Sequence, residues 1–498
     1  MAYIKSLRGQ AWLLPPSIEE MIPEDHVCFL VEDLIDSLNF KEFDVKYSGA
    51  GHPAYHPRVI MKLLVMGVLD RIRSSRRLAR NARENVVYIY LSEKLNPDFR
   101  TISDFRKDNP NLVKAAFKHT ITIAKDEGLL DLSVLSTDGT KIKANASNRS
   151  VLSKEEIEFI NKFIDNELEE WAKQDNIEND FFGEIRGSDQ LPEKSRRKIK
   201  KAVERYIKRL KETGDISYIK QKIKKAEEEL KENHLAKVSV TDPECRFMKS
   251  KKGRIEFSYN AQITTENNGF ILANDICQDS ADADQLQLQI FQTKENVIDL
   301  QENIKWNFDN GYFSGENINF LNEEKIDGYI PCQEKKNTSL YDSEKFIYSK
   351  EKNEYLCPNG HKMIFLSEQF DKSKGKSFRI YKGESCKNCP KQKQCTKCKK
   401  GVRYLKRYPY EEERNMMKEK MLSPEAKEVY DKRKQTTEPA FGNIKENNGM
   451  LSFLTRRLSV VRNEFELACI GHNLQRIRSL KLIKAQNINY LKFILIEV

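Results

Sequence analysis

The sequence predicts a mixed α/β chain with an all-helical head, a sheet interrupted by a helical insertion, a cysteine-bearing insertion and closing helices. Three observations predict it. Apolar residues recur at three- and four-residue steps through the first 125 positions. From position 130 onward, short β-prone runs alternate with Asn- and Asp-Gly turns. Two of these runs end alike. Residues 132–146 (LSVLSTDGTKIKANA) carry Asp138-Gly139-Thr140, and the run 304–308 delivers Asp309-Asn310-Gly311-Tyr312.

The head comes first. Val27, Leu30, Val31 and Leu34 share one side of a helical period, and Pro57 can open the next helix at its first turn. Ile60, Leu63, Leu64, Gly67 and Val68 give that helix a buried face. RIRSSRRL (71–78) is a basic break followed by a new helix, and Asn96-Pro97-Asp98 marks a turn. Thr101 or Ser103 can cap the helix that carries Asp104, Arg106 and Lys107. Such a set is either a helix-turn-helix unit or a helical bundle with exposed arginines. On the first reading Arg73, Arg76, Arg77 and Arg80 contact phosphates, which position a duplex without reading its bases.

After Asp138 the strand continues through Ile142 and Ala144. Three amphipathic helical sets follow: Ile157 to Trp171, Ile199 to Leu210 and Ile219 to Leu230. The first is acidic and the second basic, which fits a solvated antiparallel pair or a basic arm lying along DNA. Strands return at 238–241, at the alternating Ile255, Phe257 and Tyr259, and at 270–276 after an Asn267-Asn268-Gly269 turn. Residues 283–297 read as a crossover helix to the strand before Asp309. Asp275, Asp279, Asp282 and Asp284 read as loop or cap residues; Asp242, which follows a strand, is the rival metal ligand.

The next insertion has the spacing Cys386-x2-Cys389-x5-Cys395-x2-Cys398. Paired C-x2-C units each half-fill a tetrahedral zinc site, and an iron–sulfur cluster is the alternative. Cys357 and His361 are spare ligand candidates, and Lys387, Lys391, Lys393, Lys397, Lys399 and Lys400 offer phosphate contacts. Beyond it, 424–436 is a charged helix ending near Tyr430, Arg433 and Lys434. Pro439 directly follows Glu438 and disfavours helical geometry there, so Glu438 is expected at a kink or just ahead of a new helix. Lys445, seven residues on, shares its face if the helix is continuous. Phe465, Leu467, Cys469, Ile470, Leu474 and Ile477 form an apolar helix expected to pack on the sheet, with His472 in a packing or hydrogen-bonding role.

Bulk properties narrow the function. A chain of 498 residues with 32% charged residues and a net charge of +11 suits a polyanionic partner, or simply a solvated basic surface. No run reaches the roughly 18 apolar residues of a membrane span. The first residues lack a signal peptide's apolar core, so a cytoplasmic protein is expected. Ten cysteines, five of them between 357 and 398, point to metal rather than to a disulfide scaffold. Two carboxylates at strand ends and a third, Glu438, in a helical region are what divalent-metal phosphoryl transfer needs. A P-loop, which nucleotide use would require, does not occur.

Several ordered motifs together resemble the DDE transposases of bacterial insertion sequences, of the type with an InsH-like N-terminal domain. They are STDGTKIKANAS, FDNGYFSGEN, then Tyr430, Arg433, Glu438 and Lys445, with the N-terminal run HPRVIMKLLVMGVLDRIRSSRRLARNAREN and the closing HNLQRI. The resemblance covers nearly the whole chain. It implies a ribonuclease H-like catalytic core in which Asp138, Asp309 and Glu438 hold two Mg²⁺ (or Mn²⁺) ions, with Arg433 and Lys445 near the DNA. It implies terminal inverted repeats and target DNA as partners, and a homodimer on paired ends. The expected organisation is a DNA-binding domain over 1–125 and a core over 130–330 and 425–480. A helical insertion over 150–235 and a cysteine-rich, zinc-binding insertion over 331–424 interrupt it. The rivals are a nuclease of the same fold that cuts without joining, and a catalytically inactive repressor derived from a transposase.

Overall fold

The structure, a computed structural model, describes residues 16–46, 54–147, 151–158, 160–162, 216–250, 253–301, 303–332, 341–371 and 375–496. The head consists of α1 (Val27–Asp36), α2 (Lys41–Lys46), α3 (Pro57–Leu69), α4 (Ser75–Glu84), α5 (Val86–Leu91), α6 (Phe99–Asp108) and α7 (Pro110–Asp126). Pro57 does open α3, where a missing N–H costs nothing, and His56 caps it by accepting from the Arg58 N–H. The helix is buried on every side from Val59 to Val68. The one charge in that stretch, Lys62, is tolerated because it pairs with Asp36 at 2.8 Å and Glu32 at 3.3 Å. α6 starts earlier than expected: Asp98 is its cap, accepting from the N–H groups of Arg100 and Thr101. Thr101 Oγ1 donates to the same carboxylate at 2.7 Å and is thereby held inside the first turn.

The main sheet is centred on β1 (Val134–Lys143). β5 (Ile255–Thr265) pairs with it antiparallel, after the short β2 (Val151–Leu152), α8 (Ile216–Glu232), β3 (Val238–Ser239) and β4 (Arg246–Lys249). β4 and β6 (Ile271–Cys277) both pair antiparallel along the outer edge of β5. The turn before β6 is made at Gly269, whose φ of +83° is open to glycine. A 3₁₀ turn (Ala283–Gln285) and α9 (Leu286–Asn296) cross over to β7 (Lys305–Phe308), which lies parallel to β1. α10 (Gly315–Glu323) leads to β8 (Asp327–Tyr329), parallel to β7. Of the three helical sets of the insertion, Ile157 and Ile160 of the first are buried, and the third forms α8 with Ile223, Ala226 and Leu230 inside. The second set, and Ile164, Leu168 and Trp171 of the first, lie outside the described residues.

A smaller antiparallel sheet runs in the order β9 (Ile347–Ser349), β10 (Glu354–Leu356), β11 (Lys362–Asp371), β12 (Lys376–Gly383) and β13 (Tyr404–Arg407). Cys395 ends a single helical turn, α11 (Gln392–Cys395), between its last two strands. After α12 (Glu411–Lys420), α13 (Pro424–Gly442) lies across β1 and β7. Contrary to expectation, α13 runs through Pro439. The proline ring forfeits only the bond to the Gln435 carbonyl, and Gln435 and Pro439 both line an open cleft, so no neighbouring element is disturbed. α14 (Leu458–Ile496) packs its apolar face on α3, α7 and β6. All six residues expected on that face are buried. One hydrophobic core therefore continues from the head through the sheet to α14, and the small sheet has its own core of five side chains.

Candidate active site

Asp138 and Asp309 come together because β1 and β7 are parallel neighbours. Thr137 is registered against Phe308, so the next residue of each strand is an aspartate at the same level. Asp138 is 2% exposed, and its Oδ1 accepts from the Gly139 N–H at 2.8 Å. Asp309 caps the turn Asn310–Tyr312, accepting from the Asn310 N–H at 2.8 Å.

α13 supplies the group that joins them. It is tied to β7 where Asn307 donates to the Val429 carbonyl at 2.8 Å, and where Lys305 meets Glu425 at 2.6 Å. This sets Tyr430, Arg433 and Thr437, spaced by three and four residues, on one helix face. Arg433 donates to Asp138 Oδ2 at 2.8 Å and stands 3.5 Å from Asp309 Oδ1. Tyr430 donates to Asp309 Oδ1 at 3.4 Å. Burial opposes the Arg433 charge, but the two carboxylates more than offset it and hold the guanidinium above its ordinary pKa. One cation thus bridges two acids in a largely buried place.

A third carboxylate is close by, one that the sequence reading assigns to a loop. Asp282, which opens the crossover, accepts from Asn260 at 2.7 Å and Gln262 at 2.8 Å and pairs with Lys141 at 3.2 Å. Two glycines make room for it. A Cβ on Gly139 would lie 2.6 Å from Asp282 Oδ1 and 2.3 Å from Gln262 Nε2; one on Gly311 would lie 3.0 Å from Asp282 Oδ2. Tyr312 donates to Gln262 Oε1 from a fully buried position. Burial first, then the charges of Asp282, Asp138 and Asp309, push its phenol far above the usual pKa.

The remaining predicted residues divide. Lys445 reaches the site, donating to Thr140 Oγ1 at 2.6 Å, two residues past Asp138 on β1. It does so because α13 gives way at Asn443 to a π turn, which re-aims the chain, so Lys445 and Glu438 do not share one helical face as expected. Glu438 is exposed on the flank of α13. Among the described residues no three His, Cys, Asp or Glu side chains are already gathered to hold a metal ion. Asp242 belongs elsewhere: it is fully buried and accepts from Tyr259 at 3.0 Å and from the Arg457 N–H at 3.1 Å. His472 takes the packing role expected of it, bonded to the Gly269 carbonyl and Asn443, with burial pulling its pKa down to about 4.

Arg76, Arg77 and Arg80 are exposed on α4, and Arg76 and Arg100 lie over the Phe99 ring at 5.0 and 5.9 Å. Arg73 is not with them. Its guanidinium turns inward to the carbonyls of Gly449 and Ser452 and to Glu464 at 3.1 Å, tying the head to the closing segment. The cysteines also regroup: Cys386, Cys389 and Cys395 face one cavity with Cys357, whereas Cys398 is exposed.

No curated protein matches the chain. Two families do. Residues 16–108 match a transposase domain (DUF772), and residues 356–478 match a transposase DDE domain. The second match spans α13, with Tyr430, Arg433 and Glu438, and the π turn after it, with Lys445. With one match in the helical head and the other over the helix that covers Asp138 and Asp309, the two matches support a DDE transposase of an insertion-sequence family.

Proposed function

We propose that the protein cleaves the ends of an insertion sequence and joins them to target DNA at a site made by Asp138, Asp309 and Glu438. The observation that carries this reading is the pairing of Asp138 with Asp309 across β1 and β7 beneath Arg433. Strand order supports it: β6, β5, β1, β7 and β8, with the last three parallel and the first two antiparallel to their neighbours, fits a ribonuclease H-like core. The three carboxylates would hold Mg²⁺ or Mn²⁺, which when bound activates water or a 3′-OH and stabilises the oxygens of an in-line displacement. Asp138 and Asp309 fit that task as they stand, because they already share one cation, Arg433. Glu438 is exposed on the flank of the neighbouring helix and is not gathered with them in this structure, so its part in the site rests on the family resemblance.

The chain's own groups do the rest. Arg433, once it releases the carboxylates, presents a planar fork suited to a DNA phosphate beside them. Lys445 at Thr140 stands where it can fix the next phosphate along β1. Gln262, Lys141 and Asn260 hold Asp282 so that the stretch of β1 around Asp138 and the turn after Asp309 keep their spacing. Arg76, Arg77 and Arg80 on the head meet duplex phosphates and set its register. Two copies on paired ends supply the two active sites. The test is Mg²⁺-dependent cleavage of a duplex carrying the ends that flank the gene, with Asp309→Ala in parallel. Cutting and joining by the wild type, with binding but no cutting by the variant, is expected. Equal cutting by both overturns the site, and tight binding by both with no cutting in Mg²⁺ or Mn²⁺ overturns the activity.

A further inference from the structure

The small sheet has a core of only Phe346, Tyr355, Met363, Tyr381 and Leu405. So few buried side chains seldom hold a unit of this size without a staple. Two of its loops meet at one end. The first, 357–361, is a tight turn between β10 and β11: the Cys357 N–H donates to the His361 carbonyl at 2.9 Å, and Gly360 takes a φ of +79°. This geometry aims the His361 N–H at Cys357 Sγ, 3.3 Å away. The second loop, between β12 and β13, holds Cys386 and Cys389 on one 3₁₀ turn and Cys395 at the end of α11. Asn359 of the first loop donates to Cys389 Sγ of the second at 3.4 Å.

These four cysteines line one cavity of about 30 Å³, which Phe346 and Met363 also line. Cys386 Sγ presses so closely on β12 that a Cβ on Gly383 would be 2.2 Å from it. Arg403 lines the same cavity and is anchored to the Cys395 carbonyl at 3.1 Å. Cys398 lies outside, exposed, three residues past Cys395.

We propose that Cys357, Cys386, Cys389 and Cys395 bind one structural zinc ion, and that Cys398 is not a ligand. Four thiols on three separate turns, two of them already accepting N–H bonds, face one cavity; they are not yet gathered into a ligand set, but they are the number and kind of donor that tetrahedral zinc takes. A cysteine sulfur moves on a single side-chain torsion, so closing on the ion is a change of rotamer rather than of backbone. The reaction balances as Zn²⁺ plus four thiols giving the tetrathiolate, net charge −2, and four protons. The Arg403 guanidinium and the N–H donors then face that charge. The ion cross-links the β10–β11 turn to the β12–β13 loop and so closes the open end of the small sheet. This inference does not depend on the catalytic reading.

The test uses the full-length chain. Metal analysis after purification without chelator is expected to give one zinc per chain. Cys357→Ser raises the zinc dissociation constant by more than about tenfold, while Cys398→Ser leaves it within about twofold. A measurement free of variants accompanies it: alkylation followed by mass spectrometry, with and without added zinc. Zinc is expected to shield Cys357, Cys386, Cys389 and Cys395 and to leave Cys398 reactive. Zinc lost on Cys398→Ser but kept on Cys357→Ser, uniform reactivity of all five thiols in zinc, or the visible absorbance of an iron–sulfur cluster would each overturn the proposal.

Discussion

Replacing Arg433 by methionine keeps the apolar stem and removes the cation that Asp138 and Asp309 share. Asp138 is 2% exposed and Arg433 8%, and their atoms are 2.8 Å apart. At an effective dielectric near 20 their attraction is about 6 kcal/mol, much of it offset by the cost of burying both charges. Removing only the arginine takes the cation away from a buried carboxylate, which costs about 3–5 kcal/mol. It also opens Asp138 and Asp309 to another cation. Magnesium at about one hundred times its dissociation constant then restores about 2.7 kcal/mol. Arg433→Met is therefore expected to unfold at lower urea than the wild type in EDTA, and to recover much of that loss in Mg²⁺. The wild type gains less, because Arg433 must first let go. The assay is a pair of urea denaturation curves for each protein. Equal stability in EDTA, or an equal Mg²⁺ gain for both, would refute the idea that arginine and metal compete for one pair of acids.

Three further predictions concern residues that the structure assigns away from the chemistry. Arg73→Ala should destabilise by up to about 3 kcal/mol, because it takes the cation from Glu464, 3% exposed, which keeps only its hydrogen bonds from Leu454 and Thr455, yet leave the salt dependence of DNA binding unchanged. Alanine at Arg76, Arg77 and Arg80 should do the reverse, reducing the slope of log K against log salt by about 0.9 for each phosphate no longer neutralised. Asp242 gives a pH test. Burial raises its folded pKa from 3.8 to about 6, and its Oδ2 has no hydrogen-bond partner among the described residues. The folded state therefore holds a proton that the unfolded chain has released, and stability falls as pH rises from about 4 to about 6. The loss is on the order of 3 kcal/mol. Denaturation across that window should show this fall in the wild type and a flatter profile in Asp242→Asn.

What can be read from the sequence is local. The β-runs, the turn at Gly269 and the start of α3 at Pro57 rest on spacing and on residues with one conformational use, and the structure has them. Partners distant in the chain are less legible. Arg73 looks like its neighbours Arg76 and Arg77 in sequence, and only the approach of Gly449, Ser452 and Glu464 turns it inward. Cys357 stands outside the regular C-x2-C pairs, so spacing favours Cys398. The β10–β11 hairpin brings the more distant residue to the cavity.

Asp282 shows the same limit at the site itself. Gly139 and Gly311 each follow a carboxylate closely, and each can be read alone as the glycine of a turn. Neither has a positive φ, so neither is glycine for backbone reasons. What they share is a neighbour: both missing side chains would fall on the Asp282 carboxylate. The two aspartate–glycine motifs are thus one requirement stated twice, room for a third acid between β1 and the turn after β7. That acid comes from the start of the crossover, where nothing but a cluster of aspartates announces it. Its three donors, Lys141, Asn260 and Gln262, lie on β1 and β5, so Asp282 links the strand that carries Asp138 to the turn that carries Asp309. The spacing of the two acids under Arg433 therefore depends on a residue that approaches neither of them in sequence.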